Sequence, residues 1–148
     1  MTNPANTWAS VRLLLVDDHK AFRQRLATIL TNEGFSIVGE AGTGEEGVRL
    51  ARSTQPDIVL MDVYVTGMDG VRATAELLKV STKSQVVGLS LCDGNTMLRM
   101  MKAGASVFVP KTKLGSLLSV LHGMAEVLTT RTGEQPQAIA DVKGLQPP

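Results

Sequence analysis

The chain has 148 residues, 43% of them apolar and only 3% aromatic, and carries a formal net charge of +1 at pH 7. This length suffices for one domain with a sizeable core, and a charge near zero without a cluster of Lys and Arg argues against a nucleic-acid surface. A single cysteine excludes an internal disulfide, and since residues 1–10 lack a signal-peptide layout and no apolar run reaches ~18–20 residues, the default expectation is a cytoplasmic protein.

Residues 1–10 are polar and are expected to be flexible, with Trp8 packing loosely beside the first strand. From residue 11 to residue 128 the chain alternates five times between short apolar runs and helical patterns, which indicates one domain. The predicted strands span residues 11–16, 35–41, 58–61, 85–89 and 107–109. The predicted helices span residues 20–32, 44–53, 70–79, 96–103 and 114–128. Residues 129–148 contain three prolines and are expected to form a flexible tail or linker remnant.

Helical periodicity predicts which face of each helix is buried. In the first helix the apolar stripe is Phe22, Leu26, Ile29 and Leu30, and residues 23–25 are expected to face away from it. In the third helix the expected inward residues are Val71, Ala75 and Leu78. In the last helix they are Leu114, Leu117, Leu118, Leu121, Met124, Ala125 and Leu128. Thr43 and Glu46 have capping-box spacing, and Asp93 to Asn95 are expected to cap the fourth helix.

Alternating strands and helices predict an α/β fold, a doubly wound five-stranded parallel sheet with right-handed crossovers. In such sheets ligands bind at the carboxyl ends of the strands, near the point where the strand order reverses. Every residue that follows or ends a predicted strand on the expected binding side is polar: Asp17, Asp18, Asp62, Ser90 and Lys111. We therefore expect one site that contains three acids, a hydroxyl and a lysine.

Three carboxylates in one site repel one another by roughly 4 kcal/mol per close pair at an effective dielectric constant of 20. A hard divalent cation relieves this repulsion, and an all-oxygen site with waters suits Mg²⁺. A carboxylate beside the cation could attack a phosphoryl group, while Lys111 and Ser90 hold the phosphoryl oxygens. The alternative is a structural network in which the buried acids only pair with Lys111.

Three segments carry a family resemblance: Leu-Val-Asp-Asp-His at residues 15–19, residues 60–70 around Asp62, and Val-Phe-Val-Pro-Lys at residues 107–111. Together they resemble receiver domains of two-component response regulators, because five separated positions agree in type and order over residues 11–128. The Asp-Asp-His opening resembles the nitrate-responsive subfamily, whose receivers usually precede a helix-turn-helix domain. The resemblance implies a flavodoxin-like sheet with the strand order 2-1-3-4-5.

The resemblance also implies a role for each site residue. Asp62 would be the phosphoacceptor, with Asp17, Asp18, Asp62 and the backbone carbonyl of Tyr64 holding Mg²⁺. Ser90 would be the switch hydroxyl, Lys111 the phosphate-contacting lysine, and Phe108 the aromatic residue that changes burial on activation. Tyr64, Leu91 and Cys92 occupy positions that tune the lifetime of the aspartyl phosphate.

The function implied is a signalling switch that accepts a phosphoryl group from a histidine kinase or phosphotransfer protein. Phosphorylation would change the surface of helix 4, strand 5 and helix 5, which a downstream protein or a second copy of the chain would recognise. Such a protein is not an enzyme beyond self-phosphorylation and autodephosphorylation, and no membrane or nucleic-acid contact is expected of this chain. It would be a stand-alone receiver or a fragment of a DNA-binding regulator.

Two other readings stay open. A metal-dependent phosphatase would need a second acid two residues beyond the nucleophile, where Tyr64 stands. A pseudo-receiver that acts without phosphorylation is kept open by two departures: Leu91 replaces a small residue, and Thr66 replaces a proline and predicts a less rigid loop.

Three single residues have a structural interpretation, and for the fourth helix two interpretations stay open. His19 is expected to cap the first helix, His122 to lie on the surface, and Cys92 to fill a loop. The fourth helix carries Met97, Leu98, Met100 and Met101, which suit either partner binding or extra core.

Overall fold

The structure is a computed structural model that describes residues 8–91 and 94–132, without the side chains of the last two. Its strands are β1 (Arg12–Val16), β2 (Ser36–Ala41), β3 (Ile58–Asp62), β4 (Gln85–Ser90) and β5 (Val107–Pro110). Its helices are α1 (Lys20–Asn32), α2 (Gly44–Thr54), α3 (Gly70–Val80), α4 (Gly94–Ala103) and α5 (Leu114–Thr132). The expectations for Cys92, for Asp93 as a cap, for residues 1–7 and for residues 133–148 lie outside the described residues.

The five strands form one parallel sheet in the order β2-β1-β3-β4-β5. The chain moves outward from β1 to β2 in one direction and from β3 through β4 to β5 in the other. The strand order therefore reverses between the neighbours β1 and β3, which confirms the predicted fold. Loops after these two strands leave the sheet on opposite sides and open a crevice at their carboxyl ends.

The core lies in two layers, one on each face of the sheet. Leu13 and Leu15 pack with the apolar faces of α1 and α5 on one side, whereas Leu14 and Val16 pack with α2 and α3 on the other. The central strands are buried on both faces, which explains why they are almost continuously apolar rather than alternating. None of the described helices is long and apolar enough to cross a membrane.

The structure confirms the predicted inward face of α3 in part, because Val71 and Leu78 pack against the core. The buried residues are Ala73, Thr74 and Leu77, together with Gly70 at the first position, whereas the three predicted residues are only partly buried. A side chain at Gly70 would collide with the carbonyl oxygen of Asp62, so the helix starts in close contact with the loop after β3. The fully buried face of α3 thus includes the small residues Gly70 and Ala73, which hydrophobic periodicity does not single out.

The chain around Trp8 and His122 also departs from expectation. Trp8 stacks on Phe35 and on His122, with ring centroids 6.4 and 6.0 Å apart, and the hydroxyl of Ser36 donates to the carbonyl of Ala9. His122 is half-buried, and its Nε2 lies 2.9 Å from a carboxylate oxygen of Glu33. The expected surface histidine is thus part of an aromatic cluster, and α5 continues past residue 128.

Candidate functional site

The carboxyl edge of the sheet, defined here by Asp17, Asp18, Asp62, Ser90 and Lys111, contains the polar residues singled out in the sequence. Asp17, Asp62 and Ser90 are buried, whereas Asp18 is exposed. Carboxylate oxygens of the three acids all lie within 4.8 Å of one another. The structure thus brings the adjacent pair Asp17 and Asp18 together with Asp62, which lies more than forty residues further along the chain.

Lys111 lies between the two buried acids. Its Nζ is 2.7 Å from Oδ2 of Asp17 and 3.4 Å from Oδ2 of Asp62. The same ammonium stands 4.7 Å from the ring centroid of Phe22, a cation–π contact worth about 0.5–2 kcal/mol. The periodicity of α1 assigned Phe22 to the core alone, so its place beside the lysine was missed. One lysine among three acids leaves the carboxyl edge with excess negative charge.

Backbone amides hold one oxygen of each buried acid. The amide of His19 donates to Oδ1 of Asp17 over 2.8 Å, and the amide of Tyr64 donates to Oδ1 of Asp62 over 3.1 Å. Oδ2 of Asp17 is buried and pairs with the Lys111 ammonium over 2.7 Å, but no residue within 8–91 or 94–132 donates a well-aligned hydrogen bond to it. A buried carboxylate oxygen in this state can still serve a further cation.

The environment of Asp62 disfavours its charged form. Burial raises the pKa of Asp62 above its ordinary value, the nearby charge of Asp17 raises it further, and Lys111 opposes both. A buried acid with a raised pKa in an open cavity is a candidate for chemical function. A bound cation would favour the ionised form, because it offsets both the burial and the repulsion.

The donor set of the carboxyl edge fits Mg²⁺. Asp17, Asp18 and Asp62 offer only oxygen ligands, their carboxylates converge, and Oδ2 of Asp17 has unused acceptor capacity. Mg²⁺ prefers a few carboxylates and keeps several waters, which the exposed position of Asp18 would accommodate.

Two of the three acids open into a cavity of about 470 Å³, lined by Asp18, His19, Phe22, Asp62, Tyr64, Ser90, Leu91 and Lys111. Tyr64 and Leu91 form its rim, with 60% and 76% of their surface exposed. The hydroxyl of Tyr64 lies 3.2 Å from Oγ1 of Thr96 at the start of α4. The Tyr64 side chain therefore spans from the loop after β3 to α4 at the mouth of the cavity.

The loop after Asp62 is anchored despite the absence of a proline at Thr66. The carbonyl of Thr66 accepts from the amide of Gly44 over 3.1 Å, and the Thr66 hydroxyl lies 3.3 Å from the carbonyl of Gly42. The carboxylate of Glu45 accepts from the amide of Met68, a bond that lowers the pKa of Glu45. These contacts join the loop to the start of α2. Hydrogen bonds therefore restrain the loop, although the absence of a proline predicted that it would be less rigid.

Phe108 and His19 occupy defined positions. The Phe108 ring is partly buried beside Met100, and a Cβ atom on Gly88 would lie only 3.0 Å from that ring. The missing side chain of Gly88 thus leaves the space that Phe108 fills. His19 caps α1, because its Nδ1 accepts from the amide of Phe22 over 3.1 Å.

Arg23 is the residue that the sequence pattern placed on the wrong side of α1. Its Nη1 donates to the backbone carbonyl of Asp17 over 2.6 Å, and its Nε donates to Oε1 of Glu40 over 2.9 Å. Only 14% of the Arg23 side chain is exposed. A usable signal was its position one turn after His19, which keeps it beside the acidic loop.

Comparison with known proteins gives one consistent family. A family model described as the response regulator receiver domain matches residues 13–139. The response regulator GacA of Pseudomonas aeruginosa is 33% identical over 141 residues, covering 93% of this chain and 65% of GacA. The chain therefore spans just under two thirds of the length of that relative.

Two solved structures have the same fold. A two-component response regulator of the LuxR family from Aurantimonas sp. SI85-9A1 aligns with a TM-score of 0.73 and 30% identity, covering 78% of this chain and 84% of that one. The signal receiver domain of the response regulator NarL from Mycobacterium tuberculosis aligns with a TM-score of 0.70 and 29% identity, covering 77% and 95%.

Proposed function

This chain belongs to the response regulator receiver domain family of two-component signalling, and we propose that it is a switch phosphorylated on Asp62. The observation that carries the proposal is a buried carboxylate with a raised pKa, placed between two further acids and a lysine at the switch point of the sheet. The proposed donor is a histidine kinase or a phosphotransfer protein in the cytoplasm.

In the proposed reaction a carboxylate oxygen of Asp62 attacks the phosphorus atom of the donor. A new P–O bond forms while the bond from phosphorus to the donor nitrogen breaks, and the nitrogen keeps that electron pair. The attacking form is the ionised carboxylate, whose other contacts are already in place: the Tyr64 amide holds Oδ1, and Lys111 lies beside Oδ2. This fixed geometry lowers the entropy cost of the step.

The three acids and the Tyr64 carbonyl are the proposed ligands of Mg²⁺. When bound, the ion supplies positive charge that offsets the repulsion between the incoming phosphoryl oxygens and the acids. Lys111 contributes charge from the protein itself, and Ser90 at the end of β4 is the proposed hydroxyl partner of the bound phosphoryl group.

The phosphoryl group on Asp62 would carry about −1.5 to −2 charges, in place of the −1 charge of the ionised carboxylate. Ser90 would move toward the new oxygens, and Phe108 would turn into the space that Ser90 vacates. The affected surface is that of α4, β5 and α5, where Met97, Leu98 and Met101 already expose apolar side chains. We propose this surface as the site for a downstream protein or for a second copy of the chain. Shifting such an equilibrium from 1:99 to 99:1 requires ~5.5 kcal/mol, so several contacts must form together.

The experiment that tests the proposal is labelling with a small phosphodonor, with and without Mg²⁺, followed by intact mass measurement. The wild-type chain should gain the mass of one phosphoryl group in the presence of Mg²⁺, and Asp62→Asn should gain none. Asp69→Asn is the matched control, since Asp69 is an exposed acid that caps α3 and asparagine caps helices equally well.

Two outcomes would contradict the proposal. Persistent labelling of Asp62→Asn would place the acceptor elsewhere. A folded wild-type chain that resists labelling with Mg²⁺ present would instead support an interaction module that works without phosphorylation.

A further inference from the structure

The Arg23 side chain joins three elements next to the acidic pair. It starts in α1, donates through Nη1 to the carbonyl of Asp17 after β1, and donates through Nε to Glu40 in β2. Charge-assisted hydrogen bonds of this kind are shorter and roughly twice as strong as neutral ones. Because the guanidinium is planar and rigid, two such bonds also fix the relative positions of the groups they join.

The bond to the Asp17 carbonyl acts on the backbone between the two acids. The peptide unit that contains this carbonyl is the one that connects Asp17 to Asp18. On the other side the Asp17 amide donates to the carbonyl of Ala41 over 2.9 Å, and Oδ1 of Asp17 accepts from the amide of His19. The residue is thus held at its amide, its carbonyl and its carboxylate, and Arg23 supplies the carbonyl contact.

We propose that Arg23 is a positioning residue for the metal site: it fixes the Asp17–Asp18 peptide and thereby aims both carboxylates at one cation. The proposal rests on the proposed function, because it concerns the same acids. In this proposal Arg23 acts through the Asp17–Asp18 peptide and is not itself a ligand of the cation. Residues that orient metal ligands in this way typically contribute 10–100-fold to metal affinity.

Arg12 provides a matched control at the other end of β1. Its Nη1 also donates to a backbone carbonyl over 2.6 Å, that of Thr54, and it lies 2.9 Å from the carbonyl of Gln55. Arg12 therefore makes the same kind of bond without any contact to the acids. Arg12→Met and Arg23→Met each remove one guanidinium that holds a backbone carbonyl.

The test measures Mg²⁺ binding to the whole chain by NMR titration, using the backbone amides of residues 17–19. We expect Arg23→Met to weaken Mg²⁺ binding by about 10-fold or more and Arg12→Met to leave it within about 2-fold of wild type. A second measurement, amide hydrogen exchange in the metal-free protein, should show faster exchange at His19 in Arg23→Met only.

Two milder variants keep the test decisive where Arg23→Met does not fold. Glu40→Gln leaves the bond from Arg23 to the Asp17 carbonyl in place and should bind Mg²⁺ like the wild type. Arg23→Lys keeps the positive charge but lacks the planar guanidinium with its several donors, and it should bind Mg²⁺ with intermediate affinity. Unchanged affinity in both Arg23 variants, or equal losses in Arg12→Met and Arg23→Met, would overturn the proposal.

A wild-type chain that is not labelled by a phosphodonor would overturn the proposed function instead. The exchange measurement would then still decide whether Arg23 holds the Asp17–Asp18 turn, because it needs neither metal nor phosphoryl group. Failure of the two proposals is therefore distinguishable.

Discussion

The two edges of the sheet differ in how completely their polar and charged groups are paired. At the amino edge, defined here by Arg12, Asp57, Ser81 and Ser84, each described group has a partner: the Asp57 carboxylate accepts from the Arg12 amide, and the two serine hydroxyls bond each other. At the carboxyl edge three acids share one lysine, and the pKa of Asp62 is raised. Matched groups stabilise the fold, whereas the excess charge destabilises it and is available to a ligand.

Removing the lysine would increase this difference most. Lys111→Met leaves Asp17 and Asp62 without their counter-charge, and breaking a buried pair in this way costs about 3–5 kcal/mol. We expect a lower free energy of unfolding in urea, with part of the loss recovered on adding Mg²⁺. A loss that Mg²⁺ does not reduce would mean that the acids do not form a cation site.

Binding of Mg²⁺ should reduce the difference in charge balance between the two edges. Mg²⁺ at 100-fold above its dissociation constant should raise the free energy of unfolding of the wild type by about 2.7 kcal/mol. Asp18→Asn should lose this gain while keeping the metal-free stability, because Asp18 is exposed. Equal stabilisation of Asp18→Asn by Mg²⁺ would exclude Asp18 as a ligand.

Neutralising the acceptor removes part of the charge excess permanently. Asp62→Asn should raise the free energy of unfolding at pH 7 by about 1 kcal/mol, within the usual range for single substitutions. Since the folded-state pKa of Asp62 is raised, the wild type loses stability as pH rises from the ordinary value of 3.8 through the raised pKa. The advantage of the variant should therefore disappear at lower pH, which urea unfolding at several pH values checks. An advantage independent of pH would contradict this account.

The residues at the rim of the cavity should affect the rate of aspartyl-phosphate hydrolysis more than the stability of the fold. Tyr64→Ala opens the mouth to the attacking water, and we expect the aspartyl phosphate to hydrolyse ~3-fold faster, equivalent to less than 1 kcal/mol in the barrier. Tyr64→Phe keeps the ring but loses the hydroxyl contact with Thr96, so it serves as the control. A lifetime that is unchanged in Tyr64→Ala would remove the idea that the ring shields the phosphoryl group.

Much of the carboxyl edge was predictable because the fold follows from local patterns. A continuous apolar run followed by a carboxylate predicts a buried strand that ends at a functional residue. This pattern occurs where Val16 is followed by Asp17 and where Met61 is followed by Asp62. Parallel strands then place both ends at one edge. The roles given to these residues remain proposals, but their proximity followed from the sequence.

Other features depend on contacts between distant segments. The helical pattern predicts that Arg23 faces solvent, but in the fold β2 places Glu40 beside it. The sequence likewise predicts a surface position for His122, but Trp8 and Phe35 stack on its ring. The fully buried face of α3 includes Gly70, which closely approaches the backbone after β3.

The sequence by itself determined the order of strands and helices and the acids at the strand ends, because hydrophobic period and strand termini are local properties of the chain. Only the tertiary structure decided how those acids are held and charged. Hydrogen-bond partners and burial depend on which segments meet in space, and periodicity along one helix carries no information about the element that packs against it.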